Sequence, residues 1–291
     1  LLNLANGRKQ YARFLSFFQK KFGIEVLDQV ITKMKYAGSK WNTIRGFLIK
    51  YKMVGRLSNK NKEELAQSIL EIKMIEQEIW YELKAFIKKE DIYTMNHVQE
   101  KKIYEDNQVY EHEYIDIREM CNNNGIGNSI SSECETDLTG TGHYFYSDTS
   151  KNTIVKKDIF EFYINFNERF DNISCKGQTI KINNLVARKI AILACAEWGD
   201  FLDRIKIVYD DGTSSYLYIE LNDWWKQPNL GYTVVWSGKV VEKEEGTAKL
   251  LDEEGRYMCG KIYELEDKKL IQEITLPICP NIHIFGITIH I

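Results

Sequence analysis

The spacing of apolar residues changes once along this chain, near Asp116, and that change constrains the fold more than any other feature. Before it, apolar side chains recur every three or four positions. Leu65, Ile69, Ile72, Ile75, Ile79, Leu83 and Phe86 form one such stripe. That is the period of an α-helix burying one face. Tyr11, Phe14, Leu15 and Phe18 give a second helical stripe, and Val26, Leu27, Val30, Ile31 and Met34 a third. The first hundred residues hold no proline; Pro228, Pro277 and Pro280 all lie in the last quarter. Proline removes a helical hydrogen bond and clashes with the turn before it, so its absence suits helices. Gly23, Gly38 and Gly55 are the expected breaks between them. Asn61, with Glu64 three residues on, is expected to cap the third helix.

After Asp116, short β-rich runs alternate with Gly, Asn and Asp. Residues 159–164, 190–196, 205–209, 215–221 and 233–241 read as strands. Asp210-Asp211-Gly212 between two of them reads as a hairpin turn. Residues 282–291 are almost wholly apolar, as a strand buried on both faces would be. Leu276-Pro277 would end the strand before it, since proline cannot donate to the ladder. Many short strands between turn residues indicate a sandwich or jelly roll. The expected fold class is α+β in two parts. A basic helical domain occupies 1–100, a polar linker 101–115, and an antiparallel β-sandwich of jelly-roll type 116–291.

The formal charge of −3 hides an asymmetry. Residues 1–62 carry 14 lysines and arginines against only Glu25 and Asp28, a net of +12, which leaves −15 for the rest. Such a split suggests two parts with different partners. In the basic part, lysine and arginine alternate with Tyr11, Phe14, Phe17, Phe18, Phe22, Tyr36, Trp41, Phe47 and Tyr51. That mixture fits an anionic membrane surface or an acidic partner. It fits nucleic acid less well, because no nucleic-acid-binding motif accompanies it. A helical bundle with an aromatic core and a solvated lysine face is the simpler alternative.

No apolar run reaches the roughly 20 residues a membrane-crossing helix needs, and no signal peptide is visible. A cytoplasmic or membrane-associated location is expected, although a sequence opening on Leu1 can be a piece of a longer chain. None of the six cysteines forms a C-x-x-C pair, which argues against a zinc ribbon or a thioredoxin-type site. Cys195, inside an apolar run, reads as a buried free thiol.

Several pieces of the β half occur in a suggestive order. The first is Asn122-Asn123-Asn124-Gly125-Ile126-Gly127, followed by Asp137-Leu138-Thr139-Gly140-Thr141-Gly142-His143-Tyr144. Phe170-Asp171-Asn172-Ile173 then runs into Gly177-Gln178-Thr179-Ile180. Tyr209-Asp210-Asp211-Gly212-Thr213 and Asp223-Trp224-Trp225 come next. Ile274-Thr275-Leu276-Pro277 and His283-Ile284-Phe285-Gly286-Ile287-Thr288 close the chain. In these pieces the chain resembles the jelly-roll, galactose-binding-like modules appended to bacterial glycoside hydrolases, which bind carbohydrate and are not catalytic. The resemblance spans 116–291 and says nothing about the helical part. It implies carbohydrate or a glycan-bearing partner as ligand, and a structural calcium ion in some relatives.

Sugar recognition needs aromatic faces for the ring and polar groups for its hydroxyls. The candidates are Trp198, Trp224, Trp225, His143, Tyr144 and Asp223, with Trp236 and Tyr146 beside them. Trp225 and Trp236 can equally pack the core. On a strand Trp224 and Trp225 would face opposite sides, so one could be exposed. Trp198 precedes Gly199-Asp200 and is expected in a loop. Calcium needs clustered oxygens, and Asp116, Asn124, Asp137 and Asp171 are the candidate ligands, each of which can equally cap a turn. No EF-hand loop, nucleophile elbow, P-loop or H-E-x-x-H sequence occurs. His283 and His290 lie in apolar strands and read as core or edge residues.

The sequence therefore favours a non-catalytic carbohydrate-binding sandwich tethered by basic helices. Two alternatives stay open. One is a small-molecule enzyme using a jelly-roll cleft, with or without calcium. The other is an interaction platform within a longer carbohydrate-active enzyme.

Overall fold

The computed structural model describes residues 2–24, 27–54, 59–88, 112–148, 153–165, 169–228, 232–251, 256–265 and 269–291. It divides into two compact units, Leu1–Val109 and Tyr110–Ile291. The expected α+β fold in two parts is what forms.

The first unit holds α1 (Leu2–Phe22), α2 (Leu27–Val54) and α3 (Asn59–Lys88), with α2 packed against both others. Leu15, Leu27, Val30, Ile31, Ile72, Ile75 and Ile79 are buried between them, as the helical stripes require. Gly23 ends α1 at φ +67°, and its N–H bonds the Gln19 carbonyl at 2.7 Å. Gly38 is not a break. It sits within α2, where a Cβ would lie 3.0 Å from the Ala5 carbonyl oxygen, so its missing side chain admits α1 close to α2. Asn61 is likewise inside α3, which starts two residues earlier than the capping signal suggests. Gly55 lies outside the described residues. The seam between α2 and α3 is also polar. Lys40, 1% exposed, meets Glu71 at 3.0 Å, and Lys33 meets Glu78 at 2.9 Å. A buried ammonium without its carboxylate would cost several kcal/mol, about 3–5, so these pairs bind α3 to α2 in one register.

The second unit opens with β1 (His112–Tyr114), β2 (Ile126–Gly127), β3 (His143–Tyr146) and β4 (Thr153–Lys157). It continues through β5 (Phe160–Ile164), β6 (Ile173–Lys176), β7 (Thr179–Val186) and β8 (Lys189–Ala196). Next come β9 (Phe201–Tyr209), β10 (Ser214–Leu221), β11 (Thr233–Ser237) and β12 (Lys239–Glu244). Last are β13 (Thr247–Leu251), β14 (Tyr257–Glu264), β15 (Leu270–Thr275) and β16 (Ile278–His290). Because β1 pairs with β16, residues 112–114 belong to the sandwich rather than to a linker. Residues 101–111 of the expected linker lie outside the described residues. The run read as one strand at 233–241 is two, parted at Gly238, where a Cβ would fall 2.3 Å from the Trp236 ring.

The central sheet runs β1-β16-β8-β14-β11, with β6 also on β16. A second sheet runs β10-β9-β15-β7, and a third β13-β12-β3-β2. The central sheet is buried on both faces. One face sends Ile190, Ile192, Ala194 and Ala196 of β8 against Ile205, Ile207, Ile271 and Ile274 of the second sheet. The other sends Ala191, Leu193 and Cys195 against Phe145, Phe160, Phe162 and Trp224. Two buried faces explain why β8 and β16 read as continuous apolar runs instead of alternating. The hairpin at Asp210-Asp211-Gly212 forms as expected, with Gly212 at φ +78° and the Tyr209 N–H on the Thr213 carbonyl. All six cysteines are free thiols, and burial pushes that of Cys195 well above its ordinary pKa.

Candidate ligand-binding site

Three turns converge at one end of the strands β3, β8 and β10. The first, 137–142, is shaped by Asp137. Its carboxylate accepts the N–H groups of Thr139, Gly140 and Gly142 at 3.1, 2.9 and 3.0 Å. Gly140 and Gly142 take φ of +73° and +91°, and a Cβ on Gly142 would sit 2.4 Å from the Lys243 carbonyl oxygen. The glycines of this turn thus let the backbone fold around one carboxylate.

The second turn joins β8 to β9 and carries Trp198. Its φ is +63°, a left-handed angle that a bulky side chain rarely adopts. Glu197, immediately before it, is buried and faces His283 at 3.4 Å. His283 in turn meets the Asn172 amide oxygen at 2.9 Å. The turn is therefore anchored from inside while the indole points out, 46% exposed.

The third turn follows β10. The Trp224 N–H donates to the Ala196 carbonyl at 2.7 Å, and the Asp223 N–H to the Asp200 carboxylate at 3.0 Å. Trp224 goes inward, 2% exposed and edge-on to Phe145 at 4.8 Å. Trp225 goes outward, 40% exposed. The guanidinium of the buried Arg256 covers one face of its ring, 3.0 Å from the centroid.

These turns touch. The Trp198 indole N–H donates to the Thr139 carbonyl at 3.4 Å. The Thr139 and Thr141 hydroxyls bond each other at 2.8 Å, and Thr141 reaches His143 Nδ1 at 3.5 Å. The His143 ring meets Trp225 edge-on at 6.1 Å. His143 Nε2 lies 3.3 Å from Glu242, whose other oxygen pairs with Lys249 at 2.7 Å. Lys249, with His143 as a lesser influence, holds the Glu242 carboxyl below the usual carboxylate range. A line of two indoles, two hydroxyls, an imidazole and a carboxylate results.

Of the expected ligand residues, Trp198, Trp225 and His143 belong to this line. Asp223 lies beside it; burial raises its carboxyl pKa, and it faces a narrow recess with Glu220, Asn222, Lys226, Tyr232 and Tyr257. Trp224 and Tyr144 do not belong. Both rings are enclosed, and a Cβ on Gly127 would lie 2.8 Å from the Tyr144 ring. Trp224 and Trp225 do part to opposite sides, but on a turn and not on a strand. Trp236 packs against the Phe145 cluster. Arg256, Glu242 and Thr139 were not singled out from sequence. They lie far from the tryptophans along the chain. The pairing of β12 with β3 sets Glu242 opposite His143, and the turns ahead of β3 and β14 bring in Thr139 and Arg256.

The oxygen-rich turn residues do not fit a calcium cage. Asp116 forks onto the Arg118 guanidinium at 2.5 Å and stands exposed. Asp137 spends both oxygens on its own turn. Asp171 is buried and accepts the N–H groups of Gly125 at 3.0 Å and Ile126 at 2.8 Å. Asn124 contributes its backbone carbonyl to the Asp137 N–H. Among the described residues no three His, Cys, Asp or Glu side chains come together as metal ligands.

Residues 117–291 match the family described as the AziU2-like β-sandwich domain. No curated protein matches the sequence. Among solved structures, the Podospora anserina GH26-CBM35 β-(1,4)-mannanase aligns with 52% of this chain and 28% of its own. The identity is 16% and the TM-score 0.17, too low to carry fold or function.

Proposed function

We propose, for a chain that belongs through residues 117–291 to the AziU2-like β-sandwich family, that the sandwich recognises carbohydrate and performs no chemistry of its own. The observation that carries this reading is the pair of outward indoles, Trp198 and Trp225, connected through the Thr139 backbone carbonyl, the hydroxyl of Thr141 that the buried Thr139 hydroxyl holds, and the ring of His143. A pyranose has an apolar face of C–H groups and an equator of hydroxyls. An indole takes the first and hydrogen-bonding side chains the second. Binding residues on turns held by a rigid scaffold are the usual arrangement for recognition.

Glycoside hydrolysis would need two carboxyl groups facing each other across the bond. Of the carboxylates flanking this line, Glu242 is paired with His143 and Lys249, and Asp200 with Lys226 at 2.9 Å. Asp223, whose carboxyl pKa burial raises, accepts the Trp225 backbone N–H at 3.3 Å. That favours binding over catalysis.

The test is a glycan array probed with the purified chain, with and without a chelator, beside Trp198→Ala and Trp225→Ala. Selective binding that survives the chelator and is lost in both variants supports the reading. Absence of binding to every glycan refutes it and shifts weight to an interaction platform.

A further inference from the structure

We propose that α1 is a membrane-surface helix that binds anionic phospholipid bilayers through an aromatic stripe bordered by basic side chains. This goes beyond the sugar-binding reading and does not depend on it.

Helix α1 carries Arg8, Lys9, Arg13, Lys20 and Lys21 and not one acidic residue. Its inner face is apolar and small, with Ala5, Ala12 and Leu15 buried. Its outer face should then be polar throughout, and it is only partly so. Leu4, Tyr11, Phe14 and Phe17 stand out on it, and the two phenylalanines are 57% and 65% exposed. Tyr11, Phe14 and Phe18 follow one another at helical spacing, with ring centroids 6.1 and 6.3 Å apart, so they form one continuous stripe. Arg13 and Lys20 lie four residues before and three after Phe17, and Lys21 lies four after it. Cations therefore border the aromatics on the same face.

The charge selects the partner. An apolar stripe alone would suit a second protein as well as a bilayer. Arg8 is paired with Glu76 of α3 at 2.8 Å, but Arg13 and Lys20 flank the stripe on a helix that has no acidic residue of its own. Such a stripe suits a surface that is apolar beneath and negative above. Nucleic acid would satisfy the cations and leave Phe14 and Phe17 in water. Helix α3 gives the contrast within the same unit. It also exposes Leu70, Met74, Trp80 and Tyr81, but its five lysines face six glutamates. Among the described residues no helix is long and apolar enough to cross a membrane, so α1 would lie in the interface.

The experiment is co-sedimentation of the full chain with vesicles of phosphatidylcholine alone or with about 30 mol% phosphatidylserine, an anionic surface of cellular type. Two double variants accompany it, Phe14→Ser with Phe17→Ser, and Arg13→Gln with Lys20→Gln. All four side chains are exposed, and circular dichroism confirms that each variant keeps its helices. The expected result is binding to the anionic vesicles alone. It should fall about fivefold for each charge removed and about tenfold or more without the phenylalanines. Three outcomes overturn the proposal: no binding to either vesicle, equal binding to both, or unchanged binding in both variants. Binding of an RNA oligonucleotide with no vesicle binding also overturns it. None of these outcomes bears on the glycan array, so the two readings can fail separately.

Discussion

The indole N–H of Trp198 donates to the backbone carbonyl of Thr139 at 3.4 Å, across 59 residues of chain. That one bond joins the turn shaped by Asp137 to the turn between β8 and β9. It also explains how a tryptophan with a left-handed backbone keeps its side chain in a fixed direction. A left-handed angle is unfavourable by about 1–2 kcal/mol for a residue with a Cβ. Trp198→Gly removes that penalty along with the indole. We expect urea unfolding to show stability within about 1 kcal/mol of the parent chain, while any glycan affinity falls tenfold or more.

The neighbouring tryptophans should behave oppositely. Trp224 is enclosed by Phe145 and the central sheet, so Trp224→Ala should cost about 3–5 kcal/mol in unfolding free energy. Trp225 is partly exposed and rests on Arg256. Trp225→Ala should cost less, under about 2 kcal/mol, and act chiefly on binding. Equal losses for the two in a urea titration would show that the assignment of inner and outer tryptophan is wrong.

Asp171 gives the sandwich a pH dependence whose sign follows from burial. Desolvation raises its carboxyl from 3.8 to about 7, against the opposing pull of Asn172 and the N–H groups of Gly125 and Ile126. The folded state thus binds the proton more tightly than the unfolded chain. The stability this contributes is complete below pH 4 and is lost as pH rises through about 7. Asp171→Asn cannot titrate and sets an amide donor against backbone donors, at a cost of about 1–3 kcal/mol. The margin of the parent chain over the variant should widen between pH 7 and pH 4. A constant margin across that window would contradict the account of this carboxyl.

Gly142 tests the turn beneath the hydroxyls. Its φ is +91°, and an added Cβ would meet the Lys243 carbonyl oxygen at 2.4 Å. Gly142→Ala should destabilise the sandwich by about 1–3 kcal/mol. It should also weaken binding, because Thr139 and Thr141 ride on the same turn. Thermal melting with the array repeated on the variant checks both.

The division into helices and sandwich was legible because helical and strand periods differ along the sequence. The continuous apolar runs of β8 and β16 also announced strands with two buried faces. Helix ends were less legible. Gly38 looks like a break by residue type, but its role is close approach of α1, which depends on the partner helix. Trp198 was legible as a loop residue from Gly199-Asp200 beside it. Which of Trp224 and Trp225 faces inward was not, since both types suit a core and the pair sits on a turn where strand alternation fails. Arg256 and Glu242 could not have been assigned at all. They join the site through pairings of β12 and β14 with distant strands. The oxygen-rich turns suggested calcium because carboxylates that cap turns and carboxylates that hold ions have the same local sequence.

The most direct measurement follows the six tryptophan indole N–H signals by 15N–1H NMR while a panel of oligosaccharides is titrated in. If the exposed face of the sandwich is the sugar contact, the Trp198 and Trp225 signals shift with one saturating profile and that of the buried Trp224 shifts little. If no saccharide moves either signal, or if only tryptophans outside that face respond, carbohydrate recognition at this site is contradicted.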